Sequence, residues 1–159
     1  MGALTPLAIK IGSISWMPRL LPQIVVCDNA LHTLTCQRYG LLDVAGLPNI
    51  DLRVVGRKSG AVRSTRLLAV PTESGAWLIA GSYFGGPEMP QWVYNLRATE
   101  TVEVGHRGRT TTMTCRELDG DDRATAWKRM VEVWPNFDLY VARTERTIPV
   151  FVLEPIALV

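Results

Sequence analysis

From Asn49 onward the sequence keeps returning to one local pattern, a short stretch suited to a β-strand closed off by a glycine or proline turn. Asn49 to Val55 alternates apolar and polar residues, and Gly56-Arg57-Lys58-Ser59-Gly60 ends it as a turn. Ser64 to Val70 and Ala76 to Ala80 read as the next two strands, separated by a turn from Pro71 to Gly75. Thr101 to Gly105 and Thr110 to Leu118 form a hairpin around Arg107-Gly108, and Ile148 to Leu153 is a final apolar strand. About six short strands in a meander are expected to close on themselves as a small barrel with helices packed outside.

Helical periodicity appears between and around these strands. After Pro18 and Pro22, the segment Gln23 to Arg38 sets Ile24, Cys27, Leu31 and Leu34 on one face. Pro90 can open a helix running through Trp92, Asn95 and Leu96 to Ala98. Asp119 or Asp121 is positioned to cap a helix on which Ala124, Trp127, Val131 and Trp134 recur until Pro135, and Asn136 to Arg143 is a further short helical piece. The fold class is therefore mainly β with helices (α+β). With 159 residues, 47% hydrophobic composition, no internal repeat and no linker, residues 1–159 are expected to make a single domain.

Charge and cysteine content narrow the chemistry. A net charge of +2 does not suit a nucleic-acid binder, so only a local cluster of cations could matter. Cys27, Cys36 and Cys115 contain no Cys-x-x-Cys pair, and His32 and His106 lie elsewhere, which argues against zinc or a disulfide framework and for buried free thiols in a reducing cytoplasm. Lys10, Arg19, Asp28 and Arg38 interrupt the apolar N-terminal region, so no stretch spans a bilayer, and no secretory signal is evident. Residues 1–18 form an N-terminal extension in which Leu7, Ile11 and Ile14 fall at helical spacing, followed by Trp16 and Arg19. Such a helix could pack on the domain or rest at a membrane surface as a peripheral contact.

Two segments can carry chemistry. In Gly56 to Arg63, glycines flank Arg57 and Lys58, and Arg63 follows on the next strand. A strand-turn-strand can bring these cations and turn amides onto one phosphate or carboxylate, although a solvated hairpin tip would look the same. In Ser82 to Leu96, a glycine- and proline-rich loop opens a short helix and can set a hydroxyl and an aromatic wall beside a flat ligand, or simply form a strand-helix corner with Trp92 and Leu96 in the core. Neither P-loop nor Rossmann glycine spacing occurs.

Taken together, these segments resemble the deazaflavin-dependent nitroreductase family, whose members carry G-R-K-S-G-x-x-R, then S-x-x-G-x-x-x-x-P-x-W-x-x-N-L, and finally T-x-R-x-I-P-V. The counterparts are Gly56 to Arg63, Ser82 to Leu96 and Thr144 to Val150. The resemblance implies a split β-barrel of the flavin-reductase/PNPOx-like kind and coenzyme F420 as cofactor, with FMN as the alternative. It places Arg57, Lys58, Ser59, Gly60, Arg63, Thr65, Arg66, Leu67, Ala80, Ser82, Tyr83, Trp92 and Asn95 around that cofactor. Tyr140 is implied as the proton-donating or orienting residue, and Trp134, Phe137 and Tyr140 as the substrate wall. Trp134 and Phe137 stand where nitroimidazole-activating members carry tyrosine, and Arg66 where many carry proline. The expected reaction is hydride transfer to an apolar or aromatic organic acceptor, a quinone, enone or nitro compound, by a monomer or homodimer. The competing expectations are an FMN-binding reductase and a non-enzymatic deazaflavin carrier.

Overall fold

A computed structural model describes residues 4–16, 19, 21–34 and 40–156, and among them seven strands form one antiparallel sheet. The strands are β1 (Asn49–Val55), β2 (Val62–Leu68), β3 (Val70–Pro71), β4 (Trp77–Ala80), β5 (Thr101–His106), β6 (Arg109–Glu117) and β7 (Val150–Pro155). Their order across the sheet is β2-β1-β5-β6-β7-β4-β3. The two edge strands, β2 and β3, are separated in sequence by Ala69 alone. A sheet whose opposite edges are one residue apart must curl until they meet, and the buried Ala69, whose N–H donates to the Pro48 carbonyl at 3.0 Å, marks that closure. The expected six strands become seven because one long strand bends there.

Side chains sort by alternation across the curled sheet. Ile50, Leu52 and Val54 of β1 meet Val102 and Val104 of β5, Ile79 of β4 and Phe151 and Leu153 of β7 in an inner core. Helix α4 (Gln91–Leu96) adds Trp92, Val93 and Leu96 to it. Val150 and Val152 point the other way, into an outer core shared with the helices. Burial on both faces explains why β7 is an uninterrupted apolar run rather than an alternating one. At the β5–β6 turn, Arg107 and Gly108 have φ of 48° and 78°, a left-handed pair suited to the twist of a two-residue hairpin.

Helices α1 (Thr5–Gly12), α2 (Leu21–Leu34), α3 (Leu41–Val44), α5 (Gly120–Val133) and α6 (Asn136–Arg143) lie outside the barrel. Several differ from expectation. The short α3 was not anticipated. The continuation of α2 through Cys36 and Gln37 to Arg38 lies outside the described residues, as do the side chains of Leu31 and His32. Within α2, Cys27 and Leu34 are exposed rather than buried, which corrects the expected apolar packing face and the buried thiol. On α5 the predicted face packs through Trp127 and Val131 and on to the buried Trp134 that follows it, joined by the buried Ala126 and Met130, and only Ala124 departs from expectation by being exposed. Asp119 occupies the N-cap position of α5 but its side chain makes no cap hydrogen bond.

Helix α1 docks on the domain through the face opposite to the apolar one. Thr5 and Gly12 are buried and Ala8 and Ile9 pack on the outer core, while Leu7 and Ile11 are exposed. The reason is polar. Asn136 Nδ2 donates to the Ile9 carbonyl at 2.7 Å, the Tyr140 hydroxyl to the Gly12 carbonyl at 3.2 Å, and Arg143 to the Ser13 carbonyl. These donors recur along one face of α6; the Gly12 and Ser13 carbonyls they meet lie at the very end of α1 and just past it, and the Ile9 carbonyl takes Asn136 as a second donor beside the Ser13 N–H. Among the described residues no helix is long and apolar enough to cross a membrane.

Candidate functional site

Strand β2, the segment from Gly81 to Pro90, and helices α3, α5 and α6 enclose a cleft of about 450 Å³. Thr65, Arg66, Leu67 and Leu68 of β2 form one wall. Ser82, Tyr83 and Phe84 form another, and Pro90, Gln91 and Trp92 at the start of α4 lie beside them. Trp134, Phe137 and Tyr140 make an aromatic rear wall, faced by Ile24, Leu41 and Leu42. The size and apolar lining suit a planar ring system.

The basic turn, the lip, leads directly into the β2 wall of this cleft. Strand β2 leaves the turn at Val62, so Arg63 stands two residues from the cleft residue Thr65. The Arg57 N–H donates to Asn95 Oδ1 at 3.1 Å, and its guanidinium lies 5.0 Å from the Tyr94 ring centre, which ties the turn to α4. Gly60 takes φ 67° and its N–H bonds the Gly56 carbonyl, closing the turn, while Ser59 Oγ accepts the Ala61 N–H at 3.3 Å. Arg57, Lys58 and Arg63 are exposed, and none forms an ion pair among the described residues. They are free to meet an anion from solvent, on the turn that precedes the apolar slot's β2 wall.

Arg66 is employed differently. It lines the cleft, but its guanidinium forms a bidentate pair with Asp51, at 3.1 and 3.2 Å, and lies 3.8 Å from Asp43. Asp43 also accepts the Gly40 N–H and Asn49 Nδ2, both at 2.8 Å. Arg66 thus fastens α3 to the barrel and holds Leu41 and Leu42 in place as a wall.

Tyr140 is 2% exposed, and its hydroxyl accepts Trp134 Nε1–H at 3.2 Å while donating to Gly12. Burial pushes its pKa up to about 12, against the opposing influence of the Trp134 hydrogen bond and the Arg143 charge. Because the folded value is raised, the stability this phenol contributes is complete below its ordinary value of 10.0 and is lost as pH rises from there through about 12. Between pH 6 and 9, roughly the working range of such sites, turnover should therefore show no Tyr140 ionisation. Tyr140→Phe should leave the shape of the pH profile unchanged and cost about 1–3 kcal/mol of stability by unpairing Gly12 O and Trp134 Nε1. A pH-rate series with thermal melts checks both.

Ten of the expected site residues line the cleft: Thr65, Arg66, Leu67, Ala80, Ser82, Tyr83, Trp92, Trp134, Phe137 and Tyr140. Arg57, Lys58, Ser59, Gly60, Arg63 and Asn95 do not line it; they belong to the turn that runs into β2 and to helix α4. The lining residues Ile24, Leu41, Leu42, Leu68, Phe84, Pro90 and Gln91 were missed, as was Tyr94, which lies under Arg57 outside the lining. Phe84 and Tyr94 lie inside the second motif between residues that were chosen, whereas Leu41 and Leu42 offer only an apolar pair after Gly40.

The family described as F420H(2)-dependent quinone reductase matches residues 36–155. An F420H(2)-dependent quinone reductase of Mycobacterium tuberculosis is 30% identical over 134 residues, covering 82% of this chain and 89% of the relative. A solved structure described as an F420-H2 dependent reductase, FDR-A, is 36% identical with a TM-score of 0.62, covering 67% of this chain and 94% of its own. Another, described as a domain-swapped dimer, is 32% identical with a TM-score of 0.64, covering 84% and 99%.

Proposed function

This chain belongs to the F420H(2)-dependent quinone reductase family, and on that footing we propose that it reduces a quinone with reduced coenzyme F420 held across the lip and cleft. The observation that carries the reading is the juxtaposition of three exposed cations, Arg57, Lys58 and Arg63, with an apolar slot of ring size. A ligand with an anionic tail and a flat ring fits that division, and F420, when bound, supplies a hydride to the acceptor. Arg57 and Arg63 would grip tail oxygens bidentately and Lys58 would add a point charge. Ser82 and Tyr83 would flank the ring, and Trp92 would close its edge.

The rear wall supports a quinone over other acceptors. Trp134 Nε1–H is already bonded to Tyr140, and Phe137 has no polar atom, so the wall offers an acceptor aromatic surface but no free hydroxyl. Enone reduction falls within the same reading, and nitro reduction is its weakest case. Tyr140 serves here as an orienting residue, since its O–H is engaged in a hydrogen bond to the Gly12 carbonyl and its oxygen accepts the Trp134 N–H. The packed aromatic wall would keep water from the rear of a bound ring.

Anaerobic mixing of the protein with reduced F420 and a 1,4-naphthoquinone tests the reading. Catalysed return of the oxidised cofactor's absorbance is expected, with a nitroimidazole slower by about tenfold or more. Purification with tightly held FMN and no response to F420 would reject the cofactor. F420 binding without turnover of any of these acceptors would leave a carrier.

A further inference from the structure

Tyr83 and Phe84 stand in succession at φ 47° and 54°, a left-handed backbone that non-glycine residues rarely adopt and that bulky side chains adopt under steric strain. They belong to the cleft wall and precede Gly85, whose φ is 78° and whose ideal Cβ would lie 2.8 Å from the Tyr140 carbonyl oxygen. Nothing in the residue types at positions 83 and 84 favours this conformation, so the surroundings must impose it.

One side chain collects the carbonyls on both sides of the strained pair. Arg146 Nη1 donates to the Gly81 carbonyl at 2.9 Å, Nη2 to the Ser82 carbonyl at 2.9 Å, and Nε to the Gly86 carbonyl at 3.1 Å. Arg146 Nη1 also lies 3.6 Å from Met89 Sδ, and Thr144 Oγ1 adds a 3.4 Å bond to the same Gly86 carbonyl. The Gly81 N–H closes the contact on the Pro149 carbonyl at 2.9 Å. Arg146 makes no ion pair among the described residues, and burial lowers its pKa from the ordinary value. These carbonyls are its counterparts. The segment from Thr144 to Pro149 and the loop that carries Ser82 are therefore two halves of one clasp, about sixty residues apart in sequence.

We propose that Arg146 is a positioning residue for the cofactor site: its planar fork holds the Ser82–Gly86 loop in the strained shape that presents Ser82, Tyr83 and Phe84 to the cleft before a ligand arrives. This rests on the reading that the cleft takes F420. Shape held in advance is expressed as affinity, because binding then need not order the loop. A lysine at this position would keep the charge but, as a single compact ammonium, could not span three carbonyls in a fixed plane.

Arg146→Lys should weaken binding of oxidised F420, followed by fluorescence, by roughly tenfold or more, the scale of one lost charge-assisted contact. The quinone KM at saturating cofactor should stay at the wild-type value. In Arg146→Gly, millimolar methylguanidinium should recover much of the lost affinity, which a general loss of packing would not permit. Hydrogen exchange on the free wild-type protein gives a measurement that needs no variant. The Gly85 and Gly86 amides, bonded to Ser82 and Tyr83 carbonyls at 2.9 Å, should be protected without cofactor. Free exchange until F420 is added would overturn the proposal. So would wild-type affinity in Arg146→Lys, with the cofactor reading left standing. No F420 binding by folded wild type would overturn the cofactor reading and this inference together.

Discussion

Replacing Lys58 and Arg63 together by alanine should raise the dissociation constant for F420 by about 100-fold, the loss expected when two charge-assisted contacts of roughly 1.5 kcal/mol each are removed. Stability should change little. Both side chains are exposed and neither forms an ion pair among the described residues, so folding does not depend on them. Such surface substitutions are usually within about 0.5 kcal/mol. Arg57 is left intact because its contact with Tyr94 and its amide bond to Asn95 help to shape the turn. A control with the same loss of charge, Arg109→Ala with Lys128→Ala, sits on the β5–β6 hairpin and α5 and should leave the affinity near wild type. Equal weakening in both pairs would mean that net charge alone attracts the cofactor and that the basic turn has no special part. The expected loss should shrink with added salt, since exposed charges are screened over about 8 Å at physiological ionic strength.

Phe151→Ala should destabilise the fold by about 3–5 kcal/mol, the usual cost of emptying a packed aromatic site. Phe151 is 1% exposed and packs edge to face on Trp92, with ring centres 6.1 Å apart. It pairs with Ile79 on one neighbour strand and Glu117 on the other, so it lies in the middle of the sheet. The cavity would open beneath Trp92, which lines the cleft, and F420 affinity should fall even at temperatures where the variant remains folded. Chemical denaturation measures the first effect and fluorescence titration the second. Val62→Ala, at a side chain 63% exposed on β2, should shift stability by no more than about 0.5 kcal/mol. A comparable effect at both positions would contradict the assignment of Phe151 to the inner core.

Alternation and turn residues made the strands legible because each depends on its own neighbours. The left-handed pair Arg107-Gly108 marks its hairpin in sequence and in structure, and Asn136–Arg143 forms the helix its spacing predicts. Packing partners were harder to read. Helix α1 carries an apolar stripe at Leu7 and Ile11, yet the face that docks is Thr5, Ala8, Ile9 and Gly12. The deciding contacts come from Asn136, Tyr140 and Arg143, more than a hundred residues away, which seek the carbonyls at the end of the helix. No local pattern in α1 announces them.

The candidate site divides the same way. The cationic turn and the serine loop stand out by residue type, because charge and hydroxyl are properties a residue carries wherever it lies, whereas the aromatic wall and the joining of all three into one site are implied by the family resemblance. Tertiary structure alone decided what each group is free to do. It left Lys58 and Arg63 open at the lip while turning Arg66 onto Asp51 and Asp43. It aimed the Tyr140 hydroxyl at the Gly12 carbonyl, and it gave Arg146 the carbonyls of a loop some sixty residues earlier. The physical reason is that hydrogen bonds and ion pairs depend on distance and direction within a few tenths of an ångström, and for residues far apart in sequence those are set only when the barrel closes.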